Sequence, residues 1–485
     1  MTSKFIDTTN QRGYYNSYGY HAARMANADG RAPTPGTGDY HQAYHREGLI
    51  AQSREFMRDN GIYRGMVDRA VGYIVGGGFE LQVTTKDPEY NKKVEKLWKD
   101  YWKKPETRGL LSGRLVQKML CREVIVAGDT AAMKIDTGLL QLIEAEQIAG
   151  PFKIAKNGIQ TDDYGKIKNF YITPYSQRGR VDKYKATAYP PEVVSYLANI
   201  DRPSETRGVP ACQSVFPMMH RLNDICDSEA ASWQLLSRLA VSIGKENAEA
   251  DAYKLSTDDP NKTNTDTTGD AATRVTQLDY ALIFHGAPGD SIRGIDRNIP
   301  GKDFSASVTM FLRLLGLPLG LPLEIILLDW TKSNYSQARS VLLQTYLSVF
   351  LDWQSLLEES FFEDIFSWKL KEWTQKGLLP QQDDIVKHEW IKPSFPWIDQ
   401  LKEAQAHKLK VGLCFETQNQ VCKSQNKDRE SVVDVRELEI RDSIERAKKI
   451  KGETGVDVDW RLFAGLDTSD GQIVVNNQTG NTDNE

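Results

Sequence analysis

The most informative segment of this sequence is residues 303–353, which read DFSASVTMFLRLLGLPLGLPLEIILLDWTKSNYSQARSVLLQTYLSVFLDW. Two glycines and two prolines fall within residues 316–322 of this stretch. A proline inside a helix costs about 3 kcal/mol, so a helix that begins near residue 303 is predicted to end there. Apolar side chains precede the break at the spacing of one helical face: Phe304, Val308, Phe311, Leu312 and Leu315.

A second and much longer helix is predicted after this break. Ser333 and Asn334 offer side-chain oxygens that can cap the N-terminus of a helix. The chain then continues to Lys376 without a glycine or a proline. Roughly forty residues of helix at about 1.5 Å each span about 60 Å, a length that is more typical of a large ring assembly than of a small enzyme core.

Another apolar helix and an irregular insertion precede this stretch. Residues 218–243 repeat apolar side chains at helical spacing, which predicts a helix. Residues 246–277 are polar and low in complexity, which favours loop or disorder. The run LDYALIF at 278–284 predicts one strand. Two apolar helices, at 218–243 and 303–315, are therefore predicted to flank an irregular insertion.

The first part of the chain combines predicted helices with short predicted strands. Residues 1–46 are rich in tyrosine, glycine, asparagine and proline, which predicts a flexible arm. The fold class predicted from these patterns is mainly α with an α+β region. Helices are predicted at 46–75, 87–102 and 115–126, and strands at 79–84 and in short runs within 130–197.

Composition limits the classes of function. The 485 residues carry a formal net charge of −5, which argues against tight, non-specific wrapping of DNA because such binding needs many Lys and Arg on phosphates. Five cysteines without a C-x-x-C pair predict free thiols in a reducing compartment. The first fifteen residues contain no apolar run, so no secretory signal is expected there. Core or subunit packing, rather than base stacking, is predicted for the six tryptophans that lie between residues 330 and 397.

The search for catalytic motifs finds none. A phosphate-binding loop needs Gly-Lys followed by Ser or Thr, and no Gly-Lys pair in this chain has that neighbour. His41 and His45 are spaced to share a metal on a helix, but no third ligand accompanies them, so an exposed pair without a ligand role is favoured. His388 and Glu389 begin a zinc motif whose second histidine is missing. The sequence therefore predicts no catalytic residue, no metal, no cofactor and no enzyme.

Several motifs together resemble one known family. They are N-Y-S-x-x-R at 334–339, L-G-L-P at 315–318, R-G-V-P at 207–210, V-G-G-G at 75–78 and W-I-D-x-x-K-E at 397–403. In order and spacing they resemble the portal proteins of tailed double-stranded DNA bacteriophages, specifically the lambda-like family. The resemblance covers roughly residues 46–450.

The resemblance implies a phage portal fold, in which each subunit has a wing, a stem, a clip and a crown. About a dozen identical subunits, a homododecamer, would surround a central channel at a unique capsid vertex. The implied divisions are an arm (1–46), an α+β wing (47–207), a first stem helix (208–245), a clip (246–300), a second stem helix with tunnel loop (301–334), a long wing helix and return (335–400), a crown (401–465) and an acidic disordered tail (466–485).

The resemblance also implies a function and partners. Double-stranded DNA would be packaged and ejected through the channel, and the ring would contact the terminase large subunit, the major capsid protein and the head–tail connector. The protein would assemble in the host bacterial cytoplasm and reside in the virion, without a membrane. Lys332 and Asn334 are candidates to face DNA; alternatively, Asn334 is only a helix cap and Lys332 is only solvated. Bulky residues at 319–321 are expected to leave the ring intact and to impair packaging.

Two other classes of protein remain as alternatives. One is a nuclease or an ATPase component of the DNA packaging machinery, which would show metal- or ATP-dependent turnover. The other is a structural scaffold without a channel, which would form a filament or a small oligomer.

Overall fold

The computed structural model describes residues 36–43, 45–151, 157–176, 179, 181–243, 274–278, 281–285, 302–329, 331, 335–381, 386–393, 400–425, 427–456 and 458–465. The helices are α1 (Gly38–Gln42), α2 (Arg46–Asp59), α3 (Gly61–Val75), α4 (Pro88–Trp102), α5 (Gly113–Ala127), α6 (Phe216–Arg238), α7 (Lys302–Gly316), α8 (Leu323–Leu327), the long helix α9 (residues 335–375), α10 (Gln400–Gly412), α11 (Gln418–Lys423), α12 (Arg429–Thr454) and α13 (Trp460–Phe463).

The strands of the described residues are short and form four separate sheets. They are β1 (Glu80–Val83), β2 (Asp129–Lys134), β3 (Leu140–Ile143), β4 (Ile159–Thr161), β5 (Ile167–Ile172), β6 (Thr187–Tyr189), β7 (Val194–Ala198), β8 (Leu239–Ile243), β9 (Arg274–Leu278), β10 (Ala281–His285) and β11 (His388–Ile391). Their orders are β1-β11, β3-β2-β7, β4-β5-β6 and β8-β10-β9. The predicted class, mainly α with an α+β region, is confirmed.

The predicted helix at 46–75 is divided at one residue. Asn60 leaves the helical region, with φ −113° and ψ 110°, and its side chain accepts a hydrogen bond from the backbone N–H of Tyr63. An asparagine in extended conformation is a favourable N-cap, so a new helix begins after it. The prediction of helix on both sides is confirmed, and the break at Asn60 was not predicted.

The main hydrophobic core lies where α3 and α5 pack against the long helix α9. Tyr63, Met66 and Ile74 of α3 are at most 1 % exposed, as are Phe361 and Phe366 of α9. The predicted packing role of the tryptophans is confirmed for those that the structure describes. Trp373 and Trp390 are buried, Trp353 and Trp368 pack against this core, and Trp330 and Trp397 lie outside the described residues.

A buried ion cluster joins the α+β region to the start of α6. The carboxylate of Asp129, at the start of β2, lies 2.6 Å from Nη2 of Arg46 and 2.5 Å from Nε of Arg207. The hydroxyl of Tyr196 donates to the same carboxylate at 2.8 Å. Asp129 and Arg207 are almost fully buried. Because each ion is paired and hydrogen-bonded, the cost of removing it from water is offset.

Gly208 allows two segments of the chain to cross beside this cluster. A Cβ at Gly208 would lie 2.0 Å from the carbonyl oxygen of Gly128, so no other residue fits the crossing. The carbonyl oxygen of Gly208 accepts a hydrogen bond from Nε of Arg46 at 2.8 Å. Residues 207–210, one of the sequence motifs, therefore fix where the chain enters α6.

The C-terminal end of the predicted arm is ordered helix. Asp39 of α1 is buried and accepts a hydrogen bond from the backbone N–H of Thr206 at 2.8 Å. The backbone N–H of Gly38 donates to Oγ of Ser204 at 2.8 Å. The prediction of a flexible arm up to residue 46 is therefore wrong for residues 36–43, because these polar contacts dock α1 on the loop before α6. Residues 1–35 lie outside the described residues.

The predictions for the insertion need two corrections. The helix predicted at 218–243 ends at Arg238 and continues as strand β8. The single strand predicted at 278–284 is divided between two antiparallel strands, because Leu278 of β9 pairs with Ala281 of β10. The insertion predicted as irregular thus contains two strands of a sheet that is completed by β8.

The ion cluster makes stability depend on pH. Burial alone raises the pKa of the Asp129 carboxyl, but the charges of Arg207 and Arg46 and their hydrogen bonds outweigh it and leave the pKa below its ordinary value of 3.8. A lowered folded-state pKa stabilises the fold fully above the unfolded-state pKa. The stabilisation is therefore expected to be present at neutral pH and to be lost as the pH falls below about 3.8 through the folded-state pKa.

Asp129→Asn is expected to lower the free energy of unfolding by about 3–5 kcal/mol, because two buried guanidinium groups lose their counter-charge. Urea unfolding at neutral pH, followed by tryptophan fluorescence, measures the change. The matched control is Asp68→Asn, which removes the exposed Asp68–Arg122 pair and is expected to cost less than about 1 kcal/mol. Equal effects of the two variants would contradict a structural role for the buried cluster.

Candidate functional site: the stem helices, the loop that follows them and the crown contact

Helices α6 and α7 contact each other and share the main core. The buried face of α6 carries Phe216, Met219 and Leu222, and the buried face of α7 carries Leu312 and Leu315. The predicted apolar face of the helix at 303–315 is thus confirmed where the side chains are described.

The opposite faces of α6 and α7 are exposed in the single chain. On α7 the exposed positions include Ala306, Met310 and Arg313, with Leu317 directly after the helix; these recur at helical spacing. On α6 the exposed positions include Asp224, Ile225, Asp227 and Trp233, and the indole of Trp233 is 46 % exposed. Each helix of this pair therefore has one face in the core and one face that is exposed in the single chain.

The loop after α7 is anchored to the long helix rather than free. Leu319 and Leu321 are at most 3 % exposed and belong to the main core. Gly320 has a positive φ of 59°, and a Cβ there would lie 2.3 Å from Cγ2 of Val349. Bulky residues at 319–321 are therefore expected to disrupt the packing of this loop against α9, which differs from the expectation that they leave the ring intact.

The exposed end of this loop begins at the last turn of α8. Leu327 and Leu328 are 47 % and 57 % exposed, and Leu328 has a positive φ of 54°. The backbone N–H and the hydroxyl of Thr331 donate to the carboxylate of Asp329. Lys332 and Asn334, the predicted DNA-facing residues, lie outside the described residues, so their role stays a prediction.

The predicted rod is confirmed as one continuous helix, residues 335–375. It includes two π-helical segments, Tyr346–Phe350 and Glu358–Phe362. Between them lies Gln354, fully buried, whose Nε2 donates to the carbonyl oxygens of Ile74 and Pro393 at 3.1 and 2.9 Å. A π-helical turn holds one extra residue, so the register of the side chains shifts at each of these two segments.

Two of the sequence motifs meet at an ion pair. Arg339, from the motif at 334–339, places Nη2 3.3 Å from Oε1 of Glu403, from the motif at 397–403. The side chain of Glu403 is 6 % exposed and that of Arg339 is 46 % exposed. This contact holds α10, the first helix of the predicted crown, against α9. The predicted crown also contains α12, residues Arg429–Thr454.

Within the described ranges, no group of three or more His, Cys, Asp or Glu side chains could hold a metal. Nε2 of His388 instead contacts the carboxylate of Glu363 at 3.0 Å. The five cysteines have no disulfide partner. None of the helices in the described part of the chain combines the length and apolar content that crossing a bilayer requires.

Comparison with known families gives one match, which extends over most of the chain. Residues 24–350 match the family described as phage portal protein, lambda family. The chain belongs to the lambda family of phage portal proteins, so the family predicted from the sequence is confirmed, and its function is that of a portal protein. The match begins within the predicted arm and ends inside α9, so the motif at 397–403 and the crown lie outside it.

Among solved structures, three from gene transfer agent (GTA) particles are similar to this chain. The virion of the native particle is 13 % identical, covers 82 % of this chain and 96 % of its own, and has a TM-score of 0.44. The neck of the empty particle, computed with C6 symmetry, is 14 % identical and has a TM-score of 0.47; the match covers 83 % of this chain and 97 % of that chain. The neck of the native particle, computed with C12 symmetry, is 13 % identical and has a TM-score of 0.41; the match covers 78 % of this chain and 92 % of that chain.

All three TM-scores fall below 0.5, so the family match alone carries the assignment. No curated protein matches this chain.

Arg339→Met is expected to loosen α10, because it leaves the buried Glu403 carboxylate without its cation at a cost of about 1–3 kcal/mol. Hydrogen exchange measures this as faster exchange in α10, with α3 unchanged. The control is Arg441→Met, which removes an exposed pair with Glu437 and is expected to cost less than about 1 kcal/mol. Unchanged exchange in α10 would show that the pair does not hold the crown.

Proposed function

We propose that this chain is one subunit of a ring of identical copies that surrounds a channel for double-stranded DNA. The observation that carries the proposal is the helix pair α6–α7, which buries one face in the core of its own subunit and leaves the other exposed. In a ring, such exposed faces either contact the neighbouring copy or line the channel. Membership in the portal family supports the same reading.

The charges near the channel suit a path along which DNA slides. A wall that gripped many phosphates would hold DNA with a strong, salt-dependent affinity. The net charge is −5, and Asp224 and Asp227 are exposed on α6. Arg313 is an exposed cation in the last turn of α7, close to the loop. We place Arg313 with Lys332 and Asn334 as the candidates to contact DNA.

The remaining regions would serve as the docking platform of the portal. Strands β9 and β10 lie within the predicted clip, and β8, which precedes it, pairs with β10 in the same sheet. We propose that this region contacts the terminase large subunit and the head–tail connector. The wing would contact the major capsid protein. The subunit would act without catalysis, assemble in the host cytoplasm and reside in the virion. Metal- or ATP-dependent turnover by the purified chain would favour a packaging enzyme instead.

The purified full-length chain is expected to form particles with a central hole when viewed end-on by electron microscopy. Copies related by rotation about one axis close a ring when each contact joins two different surfaces. A monomer, a filament or a particle without a hole would overturn the proposal, and the last two would favour a scaffold without a channel.

Thr331→Trp is expected to leave the ring intact and to lower the amount of DNA packaged per particle. Thr331 is exposed at the end of the loop, so one added indole per subunit would narrow the channel without disturbing the core. The control is Tyr164→Trp, because Tyr164 is 97 % exposed in a turn of the α+β region. Packaging equal to that of the control would contradict the placement of this loop at the channel.

A further inference from the structure

The described residues of the predicted crown, 401–465, form no hydrophobic core of their own. Among these described residues, the only buried hydrophobic side chains are Ala447 and Ala464. Two alanines bury far less apolar surface than a folding unit requires. Large apolar side chains of the crown are exposed instead: Leu401, Leu409, Leu413, Phe415, Val432, Val433, Val435, Leu438, Val456, Leu462 and Phe463.

Helix α10 turns its polar side chains inward and its leucines outward. Glu403 is buried against Arg339, and Nδ1 of His407, on the same face, lies 2.6 Å from the carboxylate of Glu416. Leu401 and Leu409 are 70 % and 67 % exposed. A helix in water normally places its apolar side chains on the packed face, so this arrangement indicates a second packed face that the described residues of the subunit leave uncovered.

The first half of α12 also leaves its apolar side chains exposed. No described residue between 429 and 442 is buried, although Val432, Val435 and Leu438 form a stripe at i, i+3 and i+6. The residues of α12 that are buried are Ser443 and Ala447, in its second half. The exposed apolar stripe therefore also lacks a partner surface within the described subunit.

The two exposed surfaces carry opposite charge. Helix α10 has three lysines (Lys402, Lys408 and Lys410) and one acid, Glu403. Residues 429–442, the first half of α12, have three arginines and five acids: Glu430, Asp434, Glu437, Glu439 and Asp442. Within the subunit Lys410 is paired with Glu416, and four of the acids on α12 are paired with cations: Asp434, Glu437, Glu439 and Asp442. The complementarity therefore rests on the exposed leucines and valines and on the opposite net charge of the two helices.

We propose that α10 of one copy packs on the first half of α12 of the next copy. The partner is a second copy of this chain, because one such contact covers both exposed apolar surfaces and joins two helices of opposite net charge. The contact joins two different surfaces and is therefore repeated around a closed ring. This inference rests on the proposed ring, but the crown lies outside the residues that match the portal family, so the family match does not supply it.

The first test weakens each surface separately in the full-length chain. Leu409→Gln and Leu438→Gln keep the helix propensity of the position and place a polar group in the proposed contact. Each is expected to raise the protein concentration at half-assembly by about tenfold or more, as measured by mass photometry. The control is Leu110→Gln, because Leu110 is 74 % exposed outside the crown. Unchanged thermal unfolding of dissociated subunits shows that the variants fold.

The second test identifies the two surfaces in contact. In a Cys414→Ser background, Lys408→Cys and Val435→Cys are placed in the same chain and treated with a bifunctional maleimide. This double variant is expected to give a ladder of cross-linked multimers. A mixture of the two single variants is expected to give dimers and nothing larger, because each copy then has one reactive surface. The background variant alone is the control for the remaining cysteines.

The outcomes separate the two proposals. If wild type forms rings and both glutamine variants assemble like Leu110→Gln, the crown contact is wrong and the ring stands. If only one of the two variants weakens assembly, or if single cysteine variants cross-link with themselves, the pairing of α10 with α12 is wrong. A monomeric wild type would overturn the ring and the crown contact together.

Discussion

The buried carboxylate of Asp129 is the interaction on which the arrangement of the subunit depends. It binds Arg46 of α2 and Arg207 of the segment that leads into α6, and it lies at the start of β2. Three distant parts of the chain are thereby held at one point. Because Gly208 crosses Gly128 beside it, the entry into the first stem helix is fixed relative to the wing.

The distribution of apolar surface explains why the chain is best understood as part of an assembly. The wing and the long helix α9 have a well-packed core that includes Phe361, Phe362 and Phe366. The crown has none of comparable size and is held to α9 by the Arg339–Glu403 pair. Helices α6 and α7 are intermediate, because each has one buried face and one exposed face. Among the described residues, the share of apolar side chains that the subunit itself buries therefore decreases from the α+β region and α9 through α6 and α7 to residues 401–465.

Much of the helical part of the fold was predictable from the sequence, because the periodicity of apolar residues is strong where a helix buries one face. The Pro/Gly break after α7, the long helix and the helices α4 and α5 follow directly from periodicity and capping residues. The strand β8 was missed, since LAVSI at 239–243 continues an apolar helical pattern and becomes a strand only because β10 pairs with it. The break at Asn60 depends on a cap that residue spacing does not reveal.

The candidate site was less predictable, because its residues act through partners far away in the chain. The sequence motifs include Arg207, Arg339 and Glu403. They do not indicate that Arg207 pairs with Asp129 or that Arg339 pairs with Glu403. An acid at the start of a buried strand, as at Asp129, is the signal that could have indicated a buried ion pair. The inverted exposure of α10 could not be predicted, since it depends on which face the rest of the subunit leaves uncovered.

In the proposed closed ring, identical copies cover the apolar surface that each copy alone leaves exposed. Native mass spectrometry of the full-length protein, whose chain mass is 54.8 kDa, tests it most directly. The account predicts one dominant species whose mass is a single fixed multiple of the chain, about a dozen copies, at working concentration. A persistent monomer, or a continuous series of masses without a preferred multiple, would contradict it.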